Sequence, residues 1–430
     1  MLGTPPGSRG RPTREGRGTP AYRSVRDEVP GRAPPAPGYG RPVPRPSSGR
    51  VSPIRLLQAN AFVSTIDRFA MPPMLIAIAA DLDVPLSTIV QAAGAYFLAY
   101  GLCQPIWGLV SDRLGLVRTI RLTVAVAGVA AVAAAFAPTA LLLGVARGVG
   151  GAFFGAAYPS GMVYVGDTVA AGGRQRELTR LMVGVALGTA AASVGAGLVA
   201  QFITWRAVFV ATGLAALVLS LALRFLDEPP RTRSHRNLLA PLLIVARSRA
   251  ALFVLGLAFV EGGVLIGALT LLPPAVESAG APTAVAGGVM AVYGAAVLVF
   301  ATVVGRIARR AHPHRLIALG AASAVAACGA LAASRSVAVA IGVTVLLGLA
   351  WAALHSSLQT WATEVLPAAR ATIVSLFAGA LFVGSALTAV AVAGLADAGR
   401  YDTIFLLAAV GIVPFGLVAV WGRARWQRAG

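Results

Sequence analysis

Five residues able to carry charge or a proton stand inside long apolar stretches of this chain: Asp67, Arg68, Arg147, Glu261 and His355. A charge at the centre of a membrane helix costs about 2.5–3.5 kcal/mol on insertion scales, so such groups face partners or water and mark ion, proton or solute pathways. The four formal charges sum to zero. Asp67 and Arg68 are sequence neighbours and do not face one another on a helix, so their partners must come from other segments. Burial disfavours an ionised carboxylate and a nearby arginine favours it, and the balance can leave an acid ready to change protonation when a solute arrives. Glu261 or Asp67 is therefore expected to bind a coupling proton, the alternative being a static pair that fixes helix register. His355 is expected either to join them or to make a packing hydrogen bond.

These groups have to be positioned by elements that suit a bilayer. The chain has 430 residues, 57% of them hydrophobic and 12% charged, with a mean hydropathy of +0.77. Soluble domains carry about 25% charged residues, so a soluble single-core enzyme is excluded. A hydrocarbon core of about 30 Å needs about 20 residues of helix. Twelve runs meet that length, at 54–80, 88–110, 119–137, 140–166, 178–201, 205–226, 250–275, 282–305, 315–333, 337–362, 372–396 and 402–422. Helix is their expected form because lipid offers no partner to an exposed backbone. The prolines Pro72-Pro73 and Pro273-Pro274 are expected either to kink spans 1 and 7 or to end them.

The 36 basic residues are all arginine. With a cytoplasmic N-terminus, 21 arginines beyond residue 50 fall on the inner side and only Arg206, Arg335 and Arg400 on the outer. That asymmetry predicts that both termini are cytoplasmic. Residues 1–51 are rich in Pro, Gly and Arg and too poor in apolar side chains to form a core, so they are expected to be a disordered tail. The polar stretch 227–249 is expected to be a cytoplasmic loop between a six-helix half at 52–226 and a second at 250–422, with 423–430 a closing tail.

The two halves repeat. The segment after span 2, GLVSDRLGLVRTIRL, aligns with GRIARRAHPHRLIAL after span 8, matching Gly108 with Gly305, Arg113 with Arg310 and Arg118 with Arg315. Parallel six-span repeats are a known transporter architecture. The first segment also carries Gly108, Asp112, Arg113 and Gly115 in the pattern Gly-x-x-x-Asp-Arg-x-Gly, and span 4 carries Arg147 and Gly151 as Arg-x-x-x-Gly. On these motifs the chain resembles the major facilitator superfamily over about 52–422, and within it the drug:proton antiporter branch. Span 5 shows Gly188, Ala192, Ser193, Ala196 and Gly197 where proton-driven exporters have a glycine-rich element with a proline. The small-residue face implies close helix packing through Gly188 and Gly197.

The resemblance implies an all-α fold of twelve spans, with spans 1, 4, 7 and 10 around a central cavity. Depth alone permits an Asp67–Arg147 pair: Asp67 lies about 20 Å into span 1 and Arg147 about 10 Å into span 4. Asp112 is expected to face a helix N-terminus, with Arg113 or Arg118 latching onto Asp167 in the gating loop. Cavity candidates are few in amides (Asn60, Gln91, Gln104, Gln359) and richer in rings (Tyr96, Tyr100, Phe153, Phe154, Tyr158, Tyr293, Trp351, Trp361). That balance favours a hydrophobic or cationic amphiphile over a sugar.

The expected function is secondary transport, with proton-coupled export of a drug-like solute ahead of proton-linked uptake of a metabolite. A membrane-embedded enzyme or a non-transporting scaffold are the readings from other classes. The expected partners are a small solute, protons and the lipid of the cell membrane, with the protein a monomer. No cofactor, metal or nucleic acid is expected. Four scattered histidines and two cysteines offer no metal set, and Gly148-x-Gly150 has no preceding strand to make it a phosphate loop.

Overall fold

Lipid leaves a spanning backbone only itself to bond with, and the apolar runs fold accordingly. A computed structural model describes residues 52–229 and 240–429; the expected tail at 1–51 and Arg231, Arg233 and Arg236 lie outside them. Twelve helices are long and apolar enough to cross a membrane: Pro53–Asp81, Leu86–Leu114, Leu116–Ala135, Ala140–Thr168, Gly172–Phe202, Trp205–Phe225, Arg249–Glu277, Thr283–Ile307, Pro313–Ala333, Val337–Val365, Arg370–Asp397 and Tyr401–Arg428. We number these spans 1 to 12. Their starts follow local chemistry. Pro53 and Pro313 open spans 1 and 9, where a missing N–H costs nothing. Thr139, Thr204, Ser248 and Ser336 cap spans 4, 6, 7 and 10 by accepting from a backbone N–H of the first turn.

The halves pack alike. In the first half span 1 lies on span 5, span 2 on span 4, and span 3 on spans 4 and 6; in the second half span 7 lies on span 11, span 8 on span 10, and span 9 on spans 10 and 12. Across the halves span 2 meets span 11 and span 5 meets span 8. Small residues permit these approaches: a Cβ on Gly188 would stand 2.6 Å from the Phe62 carbonyl of span 1, and one on Gly197 would stand 2.9 Å from the Thr283 carbonyl of span 8. Gly151 abuts the Tyr96 carbonyl, and Gly262 and Gly384 abut the carbonyls of Leu381 and Phe259. Large exposed side chains such as Val129, Leu141, Leu187, Val218 and Leu417 are apolar, as lipid contact requires.

Helical irregularity inside a span is confined to four of them, span 6 merely ending in a 3-10 turn at Leu223–Phe225. Span 1 tightens into a 3-10 turn at Pro72–Met74, and span 4 breaks at Gly155–Ala156. Spans 7 and 10 widen into π turns at Gly262–Ile266 and Trp351–His355. The other eight run on without an internal break. Pro273 and Pro274 lie inside a helix that continues to Glu277, so that pair does not end span 7.

Three expected boundaries change. Span 2 is helical through Leu114, so Gly108, Asp112 and Arg113 belong to its last turns rather than to a loop. The turn shrinks to Gly115, whose φ of 107° is open to glycine alone at little cost. The stretch 227–249 contains a helix, Ala240–Arg247, which buries Val245. The last helix runs to Ala429 instead of stopping at 422, because Arg423 is buried against Trp361 and ion-paired to Glu364 at 2.6 Å.

Candidate functional site

With an even number of spans the start of span 1 and the end of span 12 lie at one end of the bundle, here termed the terminal end. The halves are sealed at the other. There Asp397 of span 11 accepts from the Ser87 backbone N–H and hydroxyl at 3.3 and 3.2 Å, and Gln201 of span 5 accepts from Ala284 N–H at 2.9 Å. The Pro72–Met74 turn is buried and packs on spans 5, 7 and 8. A shallow cleft of about 600 Å³ outside this seal is lined by Asp83, Ser278, Asp397 and Tyr401 and holds none of the mid-span charges. Contacts across the halves continue to mid-depth, where Gly101 meets Gly379 and Phe382. Nearer the terminal end, Gly108 and Gly305 have nothing within 4 Å of a Cβ position. Span 10 there turns Ser356, Gln359 and Thr360 outward as exposed residues. A polar face on a membrane helix faces water or protein rather than lipid, so the cleft between the halves opens toward the terminal end.

Two buried acid–base contacts occupy the middle, each joining corresponding spans of a half. In the first, Arg147 of span 4 grips Asp67 of span 1: Nη1 donates to both carboxylate oxygens at 2.9 and 3.0 Å, and Nη2 donates to the Asp67 carbonyl at 2.7 Å. Both residues are at most 1% exposed. The rings of Tyr96 and Phe209 cover the guanidinium at 4.4 and 4.8 Å.

The second contact is looser. Glu261, at the end of a regular stretch of span 7, is 0% exposed. His355 closes the π turn of span 10 and brings Nδ1 to 3.3 Å from Oε1. The separation is that of an ion pair, but the angles are not those of a hydrogen bond. Neither Glu261 oxygen nor His355 Nδ1 has a hydrogen-bond partner among the described residues. Trp351 stacks on the imidazole at 3.9 Å. The two π turns flank this contact, and such turns collect at functional sites.

Arg68 lies between the halves. Its Nη1 donates to the Tyr100 hydroxyl at 3.0 Å. The guanidinium sits 4.8, 5.4 and 5.7 Å from the rings of Phe69, Tyr100 and Phe382, the last from span 11. Phe97 and Tyr100 pack on Phe382 at 5.8 and 4.6 Å, closing the floor of the cleft. Phe382 was not among the rings picked out from sequence, because nothing in a run of apolar residues tells a cavity-side ring from a lipid-side one. The fourfold polar spacing of Ser356, Gln359, Thr360 and Thr363 is the signal that would have located the open face.

The gating motif is arranged differently from expectation. The carboxylate at the N-terminus of span 3 is Glu228, which accepts from Leu116 N–H at 2.5 Å and Val117 N–H at 3.2 Å. Asp112 is exposed in the last turn of span 2, where its helix presents no free N–H groups. Among the described residues Asp167 forms no ion pair with Arg118. Its neighbour Arg174 instead donates to the Gly166 carbonyl at 2.6 Å. Among the described residues no group of three or more His, Cys, Asp and Glu side chains could hold a metal ion.

A twelve-helix bundle of two like halves, sealed at one end, open at the other and lined by buried charges, has the build of a membrane transporter. The sequence profile of the Major Facilitator Superfamily matches residues 59–389, and the chain belongs to that superfamily. No curated protein gives a match. Similar solved structures include the nucleoside transporter NupG, with a TM-score of 0.73 and 12% identity over 86% of this chain and 99% of that one. A bacterial homolog of the human lysosomal transporter Spinster, inward-facing and unoccupied, has a TM-score of 0.70 and 16% identity over 87% and 97%. A D-xylose-proton symporter has 0.66 and 14% over 84% and 96%. At such identities the likeness is one of fold.

Proposed function

We propose that this transporter couples movement of a small amphipathic solute to protons, with Glu261 and His355 as the proton-carrying pair and Asp67–Arg147 as a fixed lock. One observation carries the reading: Glu261 is fully buried, makes no hydrogen bond among the described residues, and has a histidine nitrogen 3.3 Å from its carboxyl group. Arginine does not give up its proton, whereas a carboxylate and an imidazole can each take up and release one. We place the arginine-rich terminal end in the cytoplasm of a cell-membrane monomer. The open cleft then loads from the cytoplasm, which supports export, and its aromatic floor suits a solute with an apolar body.

A second reading, proton-linked uptake, has its own support. Arg68 lies 5.7 Å from the Phe382 ring, and Gly262, next to Glu261, abuts the carbonyl of Leu381, so the two charged residues approach the same turn of span 11. A solute that offsets the Arg68 charge there favours a proton on Glu261, and solute and proton would then travel together. Proteoliposomes holding the full chain under an imposed pH gradient test both. Solute-dependent proton flux opposite to the solute means export by exchange; flux in the same direction means symport. Glu261→Gln should abolish uphill movement in either case while leaving solute counterflow. Uphill movement by Glu261→Gln at the wild-type rate would refute the assignment.

A further inference from the structure

The solute has a charge sign that the cleft itself specifies. Of the three basic side chains at mid-depth, Arg147 is spent on Asp67 through three hydrogen bonds, and His355 stands against Glu261. Arg68 is different. Among the described residues no acid lies within ion-pair distance of it. Its one hydrogen bond goes to a neutral phenol. Its Nε is shielded from solvent and has no hydrogen-bond partner. It sits on a bed of three rings drawn from spans 1, 2 and 11.

A guanidinium in the membrane interior with no counter-ion is costly, and its planar fork matches a carboxylate. From this geometry we infer that Arg68 is the recognition group for the anionic head of the solute, so that the cargo is an organic anion with a flat apolar body. The body lies along Tyr100 and Phe382, and the head takes the donors that Arg68 has to spare. This narrows the amphiphile expected from sequence and excludes the cationic kind, which Arg68 would repel. It rests on the transport reading for its site but not for its coupling or direction.

The test is equilibrium binding of naphthoate, naphthamide and naphthylmethylammonium to the full chain in lipid nanodiscs with no gradient. Naphthoate should bind at least about tenfold more tightly than the amide, and the ammonium should not compete. Arg68→Gln should weaken naphthoate about 10–100-fold, as loss of a charge-assisted bidentate contact implies, and leave the amide unchanged. Arg68→Lys keeps the charge without the planar fork and should still prefer naphthoate over the amide, with a smaller margin than wild type. Equal binding of the three probes, no binding of any at millimolar concentration, or an undiminished carboxylate preference in Arg68→Gln would overturn the inference. So would loss of that preference in Arg68→Lys. If Arg68→Gln does not fold, the three probes on the wild-type chain and on Arg68→Lys still decide. Failure of pH-driven flux with carboxylate binding intact would sink the coupling reading alone.

Discussion

Replacing Arg147 with methionine separates a structural acid from a coupling acid. The substitution leaves Asp67 with no exposed surface and removes the three hydrogen bonds that hold it. Two unit charges about 4 Å apart attract by about 4 kcal/mol at an effective dielectric of about 20. Removing one partner of a buried pair costs about 3–5 kcal/mol, because the survivor is left uncompensated. Arg147→Met should therefore lower stability by about 4 kcal/mol, nearly a thousandfold in the folding equilibrium at about 1.4 kcal/mol per decade. Adding Asp67→Asn removes the stranded charge, and the double variant should recover at least half of the loss. Denaturant unfolding of the full chain in mixed micelles reads both, and solute counterflow in liposomes reads whether the double variant still cycles. A single variant within about 1 kcal/mol of wild type, or a double variant no better than the single, would refute the lock. So would a double variant that folds and exchanges solute but has lost proton coupling, since the proton would then travel on Asp67.

Three further outcomes follow from the packing and the caps. Gly262→Ala drives a Cβ into the Leu381 carbonyl and should cost about 1–3 kcal/mol of stability, whereas Gly256→Ala, with nothing within 4 Å of its Cβ position, should be neutral; equal melting temperatures would count against the backbone approach of spans 7 and 11. Glu228→Ala removes the acceptor at the start of span 3, and the loss of about 1 kcal/mol typical of a cap should speed hydrogen exchange at Leu116 and Val117 about fivefold, unchanged protection being the contrary result. Asp397→Ala cuts the link to Ser87 and should shift spin-label distances between positions 80 and 399 toward longer values as the sealed end opens, a distribution identical to wild type showing that the link holds nothing.

Much of the architecture was determined by sequence because the bilayer imposes a local rule. A spanning backbone must be helical and about 20 apolar residues long, so twelve spans could be read from composition with ends a few residues from those observed. The resemblance carried by Gly108, Asp112, Arg113 and Gly115 stood on the same footing, a pattern along the chain. The mid-span charges were also visible, because nothing hides an Asp67 or a Glu261 in a run without other charge.

What sequence left open was every relation that depends on how one helix is rotated and set against another. Depth permitted Asp67–Arg147, but only packing turned the guanidinium onto both carboxylate oxygens under Tyr96 and Phe209. No linear signal links Glu261 to His355, which are 94 positions apart (355 − 261) and meet where spans 7 and 10 each widen by a π turn. Glu228 could take the helix terminus expected of Asp112 because the chain after span 6 returns beside span 3. Arg68 has the same sequence character as Arg147; the tertiary structure alone gave one an acid and left the other facing the cleft between the halves.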